Sequence, residues 1–284
     1  MNLEIYKEDF QVRRAVLGFS GWPDAGQTIK HTLAHMRENL PCEDLAVWDM
    51  EGFWHTGAMR PQVVVKQGLI QRLDWPSWHF SLCTPPASEP VLVGMGPEPE
   101  CHWRLFTSEL LQLLNNWGCR EVFLLGSLLD QVFHDEAVIS CVVQDTMGFN
   151  RARELGCRMV EYTGSSAVLS AVMEAAKSLD IHALSLWAHL PFYLEGPHEL
   201  TTARLLEILG TLLGFEWSTR ALLEAWQKRE KEIEDNIHQD QDLHHMLESM
   251  KKQDRSSKPV PPHGKVLRLD EFLEKKHRPA HDEE

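Results

Sequence analysis

The sequence predicts an α/β protein built on a largely parallel sheet. Three observations carry this reading. Short apolar or β-branched runs alternate with helix-like segments of roughly 10–15 residues. Several of those runs are apolar throughout, as strands covered on both faces are. Glycine and proline clusters punctuate the corners between runs and helices. The chain has 284 residues, 43% hydrophobic and 25% charged. That suits one body of about 200–250 residues with an appendage.

The elements follow in order. Residues 13–19 read as a buried strand, followed by a glycine loop and a helix from about Gln27 to Leu40. Residues 45–49 read as a second strand. Residues 63–66 and 69–73 form a hairpin around Gln67-Gly68. Residues 78–83 alternate as a half-buried strand, and residues 91–95 form an apolar one, followed by a helix to about Trp117. Residues 121–125 are a fully buried strand and 137–143 a β-branched one. Residues 165–179 are a helix with Ser165 as its N-cap, 182–188 a strand, and 199–213 a helix.

The character changes near Ser218, which divides the chain into a body (1–217), a helical extension (218–250), a linker (251–265) and a short amphipathic segment (266–284). Residues 221–250 contain no Gly or Pro. Their apolar positions are Leu222, Trp226, Ile233, Ile237, Leu243, Met246, Leu247 and Met250, with gaps at Arg229 and Asp240. That spacing predicts a long amphipathic helix or a helical hairpin. Leu267, Leu269, Phe272 and Leu273 give the last segment an apolar side for the body or for a partner.

The net charge is -14. Residues 220–284 hold 13 Lys+Arg against 15 Asp+Glu, leaving 15 against 27 in residues 1–219. An acidic body repels phosphate backbones, so nucleic acid is not an expected partner. No apolar run approaches the ~18 residues of a membrane span, and the start lacks a secretory pattern. The six cysteines form no C-x-x-C pair. They read as free thiols in a reduced, cytoplasmic setting.

The loop G-W-P-D-A-G-Q-T (21–28) sits between a strand and a helix, where a phosphate loop reads G-x-x-x-x-G-K-[S/T]. Gln27 replaces the lysine, Pro23 removes an N–H, and Asp24 places a negative charge where phosphates would lie. The structural reading explains more. The glycines permit turns or close approaches, and Asp24 can accept hydrogen bonds from the first N–H groups of the helix. G-P-E-P (96–99) ends another strand, and Glu98 with His134 is the one acid/base pair that can be assembled from the sequence. Salt bridges or interface contacts are the competing reading. His31 and His35 have metal-like i, i+4 spacing but no third ligand, and read as a surface pair. Gly164-Ser165-Ser166-Ala167-Val168 fails the nucleophile elbow, and no serine has a readable base. No cofactor or metal is expected.

Six stretches in order carry a resemblance: G-F-S-G-W-P-D-A-G (18–26), W-D-M-E-G-F-W…R-P (48–61), G-P-E-P-E-C-H-W-R (96–104), L-L-G-S-L-L (124–129), Y-T-G (162–164) and S-L-W-A-H-L-P-F-Y-L (185–194). Together they resemble the proteasome assembly chaperone 2 family. The resemblance marks Gly18, Gly21, Trp22, Asp24, Gly26, Arg60, Pro61, Gly96, Pro97, Glu98, Pro99, Trp103, Gly126, His134, Tyr162, Gly164, Trp187, Pro191 and Tyr193 as family or interaction positions. It implies a three-layer, phosphorylase/hydrolase-like α/β body and a bacterial protein that forms homo-oligomers, trimers in particular. It also implies an assembly-chaperone or adaptor role toward a protein partner. Trp22, Trp54, Trp103 and Trp187 are its expected aromatic anchors. The chain departs from the family at F-H-D-E-A (133–137) and at its H-D-E-E ending. That ending lacks the hydrophobic–tyrosine–X tail of some archaeal members, so docking to a proteasome through the tail is not expected. The alternative is a nucleoside phosphorylase- or hydrolase-type enzyme using the crevice near Glu98 and His134.

Overall fold

A computed structural model describes residues 2–256. Its strands are β1 (Asn2–Ile5), β2 (Arg14–Ser20), β3 (Cys42–Asp49), β4 (Gln62–Lys66), β5 (Leu69–Asp74), β6 (Ser77–Cys83), β7 (Val91–Pro97), β8 (Glu121–Asp130), β9 (Ile139–Val143), β10 (Arg158–Met159) and β11 (His182–Pro191). Its α-helices are α1 (Thr28–Asn39), α2 (Trp103–Asn116), α3 (Thr146–Glu154), α4 (Val168–Ala176), α5 (Glu199–Leu213), α6 (Arg220–Gln239) and α7 (Gln241–Ser256). Among the described residues, no helix is long and apolar enough to cross a membrane.

Nine strands form one sheet in the order β1-β3-β6-β7-β2-β8-β11-β9-β10. The expected parallel arrangement is realised in its centre: β7, β2, β8 and β11 run side by side in one direction. On one flank β6, β3 and β1 alternate in direction, and on the other β9 runs against β11. The central strands are buried on both faces, which is why their sequences run apolar without alternation. Leu17 and Phe19 of β2 and Val122 and Leu124 of β8 face one core, with α2 and α4 over them. Val16, Phe123 and Leu125 face the other, under α1 and α5. Helices on both faces of the sheet make the three layers.

The extension is two helices, not one. Both gaps in its apolar spacing have a cause. Arg229 lies on the same stripe as Trp226, Ile233 and Ile237 and reaches the body, as described below. Asp240 ends α6, and its carboxylate accepts from Leu243 N at 3.0 Å, capping the start of α7. Helix α7 runs on to Ser256, past Lys251 where the linker is read to begin. The rest of that linker and the segment 266–284 lie outside the described residues.

One expectation is overturned. Cys42 and Cys83 are not free thiols: strand pairing sets them directly opposite on β3 and β6, and they form a disulfide. The pairing spans 41 residues, so no local cysteine spacing announces it. The expected hairpin is present. Gln67 and Gly68 both have positive φ, 51° and 78°, as a two-residue type I′ turn requires.

Candidate functional site

The carboxyl ends of β7, β2, β8 and β11 meet at one end of the sheet, where open α/β folds place their ligand crevices. The glycine loop leaves β2 there. Asp24 does what its position suggests: Oδ1 accepts from Ile29 N at 2.7 Å and Oδ2 from Lys30 N at 3.3 Å. Burial pushes its carboxyl up, against the lowering effect of these bonds and of the Ser127 hydroxyl. Ser127, next to Gly126, ties the loop to β8 through its N–H to Pro23 O at 2.8 Å and its hydroxyl to Ala25 O at 3.0 Å. These groups occupy one another, so the loop offers no phosphate cradle. Trp22 is 64% exposed.

Two glycines of this region fit only as glycine. A Cβ on Gly96 would stand 2.0 Å from the ring of the fully buried Trp78. Gly26 has φ +60°, and its Cβ would stand 2.4 Å from the carbonyl oxygen of Gly196. That carbonyl belongs to a segment held by α6: the Arg229 guanidinium donates to Pro197 O, to Glu195 O at 2.5 Å and to the Glu199 carboxylate at 3.0 Å. The extension is therefore clamped to the loop it backs.

The structure does not assemble the acid/base pair. Glu98 accepts from Val168 N at 2.8 Å and serves as the cap of α4, the role assigned to Ser165. Burial raises its pKa, and the Val168 bond opposes the rise. His134 belongs to a different network. Its N–H donates to Tyr193 Oη at 2.8 Å, its Nδ1 lies 2.9 Å from the same oxygen, and its carbonyl accepts from His198 Nε2 at 3.0 Å. Burial pushes the Tyr193 hydroxyl up to about 12, with Asp135 and Glu136 adding to it, so the phenol keeps its proton. Among the described residues no hydrogen bond or ion pair joins Glu98 to His134. Replacing Glu98 with Ala is expected to cost about 1 kcal/mol, as losing a helix cap does, and Gln, still an acceptor, less. Denaturation midpoints would check this; equal damage from both would remove the capping role.

The remaining positions divide by exposure. Trp187 is half-buried with its ring over Gly126, and Trp103 donates from Nε1 to Pro99 O at 2.6 Å. Trp54 packs near Trp75, ring centroids 6.1 Å apart. Pro191 is buried, and Pro97 closes β7, its carbonyl accepting from Trp78 Nε1 at 3.1 Å. Arg60, Tyr162 and Gly164 are exposed, and Pro61 is half-buried. Gly18 lies against Ile29 and Leu33 of α1, and a Cβ at Gly21 would stand 3.9 Å from Glu98. His31 and His35 are half-buried, and among the described residues their Nε2 atoms have no hydrogen-bond partner.

Sequence reading missed one arrangement. Ser140 Oγ lies 2.7 Å from His189 Nε2, and His189 Nδ1 lies 2.7 Å from Asp130 Oδ2. The bond from His189 holds the Asp130 carboxyl below its usual range. This is the connectivity of a serine–histidine–aspartate relay. Ser140 is 2% exposed and His189 5%. The three come from β8, β9 and β11, and only strand pairing brings them together.

Known structures are similar over most of the chain. A Mycobacterium tuberculosis proteasome-assembly chaperone homologue, Rv2125, is 28% identical with a TM-score of 0.75, covering 82% of this chain and 98% of that one. A PAC2 family protein from Streptomyces avermitilis is 27% identical with a TM-score of 0.69, covering 79% and 95%. The archaeal proteasome activator PbaB from Pyrococcus furiosus shares the fold at 14% identity, TM-score 0.66, over 82% and 97%. No functionally curated protein matches the chain. The PAC2 family model matches residues 18–237, from the glycine loop through most of α6, and the chain belongs to that family.

Proposed function

We propose that this protein is a non-enzymatic, assembly-chaperone-like adaptor that acts through protein–protein contacts, in the cytoplasm and as a homo-oligomer, a trimer by family resemblance. One observation carries the reading. At the carboxyl end of the sheet Asp24, Ser127, Glu98 and His134 are engaged by other groups of the chain, while Trp22, Trp75, Leu129 and Phe192 stand exposed. Large exposed apolar side chains beside polar groups that are already engaged suit a protein partner better than a small substrate. Family membership and the likeness to a proteasome-assembly chaperone homologue support the same class. In a reducing cytoplasm the Cys42–Cys83 disulfide would be open to reduction, which thiol trapping from intact cells would read.

The test is affinity capture from the native host with the full chain. The expected result is stoichiometric recovery of one defined assembly, lost when Trp22 and Phe192 are both replaced by Ser. Recovery that is unchanged by the double replacement, or recovery of the bait alone, would overturn the proposal.

A hydrolase reading has one specific observation in its favour, the Ser140–His189–Asp130 chain, rather than Glu98 with His134. A fluorophosphonate probe decides it: labelling at Ser140 that disappears with His189→Asn would favour the enzyme. With Ser140 buried, the expected outcome is no labelling.

A further inference from the structure

Four cysteines remain as free thiols, and two of them meet. Cys141 lies in the middle of β9 and is buried. Cys157 lies between α3 and β10, and the turn that ends α3 puts it there. Gly156 takes the left-handed conformation at φ +72°; its N–H donates to Arg153 O at 3.0 Å, and the Cys157 N–H donates to Ala152 O at 3.0 Å. This pair of bonds is the glycine C-cap in which the residue after the glycine turns back under the helix. Cys157 is accordingly buried, although Gly156 and Arg158 on either side of it are exposed. Strand β10 then pairs parallel with β9, Met159 against Cys141. Cys157 stands two residues before Met159 and so on the same side of the sheet, where it and Cys141 belong to one buried cluster. There the two thiols hydrogen-bond to each other.

The two sulfurs are not equivalent. Arg204 of α5 leans over the turn: its guanidinium donates to Leu155 O at 2.6 Å and lies 3.1 Å from where a Cβ on Gly156 would stand. It meets the carbonyl end of α3 and sets a positive charge beside Cys157. The hydrogen bond from Cys141 is the main cause that lowers the Cys157 thiol from its usual range; burial opposes it, and Arg204 adds to it. The same hydrogen bond, with burial, pushes the Cys141 thiol up. Cys119 is the contrast, a buried thiol that desolvation pushes up to about 12 while Arg120 pulls the other way. A sulfur favoured as thiolate, in contact with a second thiol, has the parts of an oxidisable dithiol. We propose that Cys157 and Cys141 are a peroxide-modified pair that closes to a second disulfide and is reopened by a dithiol reductant. The Cys157 sulfur attacks one oxygen of a hydroperoxide: the S–O bond forms, the O–O bond breaks, and the other oxygen leaves with a proton as water or an alcohol. The Cys141 sulfur then attacks the Cys157 sulfenic acid. The S–S bond forms, the S–O bond breaks, and the hydroxyl leaves as water with the Cys141 proton. The two thiols give up two electrons and two protons, and the peroxide takes both. The new bond ties the turn after α3 to β9, which matters for a helix that buries only Ala152. The inference goes beyond the adaptor reading and does not rest on it.

The experiment is a hydrogen peroxide titration of the full chain, with the remaining thiols alkylated under denaturing conditions and mapped by peptide mass. Peroxide is expected to join Cys141 to Cys157 while Cys119 stays alkylatable, with Cys157 consumed at least ~10-fold faster than Cys119. Dithiothreitol is expected to return both thiols. In Cys141→Ser the reaction is expected to stop at a Cys157 sulfenic acid, which dimedone traps. In Cys157→Ser, Cys141 is expected to stay reduced at the same dose. Hydrogen exchange of α3 amides is expected to slow in the oxidised wild type. Mapping of the wild type decides the question by itself if either variant fails to fold. Cys157 consumed no faster than Cys119, a wild type in which Cys157 runs on to sulfinic acid beside a reduced Cys141, Cys157 bonded to a different cysteine, or α3 exchange unmoved by oxidation would overturn the proposal.

Discussion

Gly26→Ala is expected to lose roughly 3 kcal/mol of stability, from about 1–2 for the left-handed backbone and 1–3 for overpacking. The overpacking cannot be relieved by a side-chain rotation. The atom in the way is the Gly196 carbonyl oxygen, 2.4 Å from where the alanine methyl would stand, with Leu190 closing the other side at 3.2 Å. Something in the backbone must move, and the neighbouring segment is the one Arg229 grips through Glu195, Pro197 and Glu199. The lesion is therefore expected to spread to α6. Melting temperature is expected to fall by roughly 6–12 °C, given about 2–4 °C per kcal/mol in a body of this size. Exchange of α6 amides should rise more than that of α2, which lies over the other core. Gly57→Ala is the control, since nothing lies within 4 Å of its Cβ position and its φ is not in the left-handed range. A Gly26→Ala protein within 1 kcal/mol of wild type, or one with α6 untouched, would show that the loop and the extension are not coupled in this way.

The same residues show what sequence could and could not reveal. Strands buried on both faces, such as β2 and β8, announce themselves because burial demands unbroken apolar runs. Helix α5 is read to its ends, since Gly214 stops it in the left-handed conformation. Elements with little buried surface stay hidden. Helix α3 buries only Ala152, β1 is an edge strand with no buried residue, and β10 has two residues. None of them leaves a period to read. Asp24 was legible as a helix-start acceptor because its partners are five and six residues away. Glu98 was not, because Val168 is 70 residues distant. The Cys42–Cys83 bond and the Ser140–His189–Asp130 chain fail for the same reason: each depends on strand register, which single-sequence periodicity does not set. Arg229 looked like a defect in an apolar stripe. It is a polar residue on the buried stripe because the surface beneath it is made of carbonyl groups and a carboxylate that need a donor.

Mild acid is expected to loosen the extension through His198. This ring is 2% exposed, packs at a tilt against Trp226 with centroids 4.3 Å apart, and joins three elements. Its Nε2 donates to the His134 carbonyl after β8, and its Nδ1 accepts from Thr201 N at 3.2 Å at the start of α5. Trp226 brings in α6. Burial is the main cause that pushes the imidazole down to about 4; the His134 carbonyl pulls the other way, and the charges of Arg229 and His134 add to the fall. The native ring is thus neutral across the whole range in which an unfolded histidine titrates. By about a unit above pH 6.5 both states are neutral and the full stability is present. Below it the unfolded state takes up a proton that the native state refuses until about pH 4, so stability drops as pH falls through that window. Relative to neutral and alkaline pH the loss is about 2 kcal/mol by pH 5, and on the order of 3 by pH 4. His35 and His79 are lowered by burial too and push in the same direction. The reading is therefore the difference between wild type and His198→Gln, which keeps a donor and an acceptor but cannot titrate. Denaturant midpoints at pH 7.5, 6.5, 5.5 and 5, followed by tryptophan fluorescence, should show the wild type losing its advantage over the variant as pH falls. A difference that stays constant over this range would mean that the native ring takes up its proton as freely as the unfolded one, and that the contact between α6 and the crevice is not pH-sensitive at this residue.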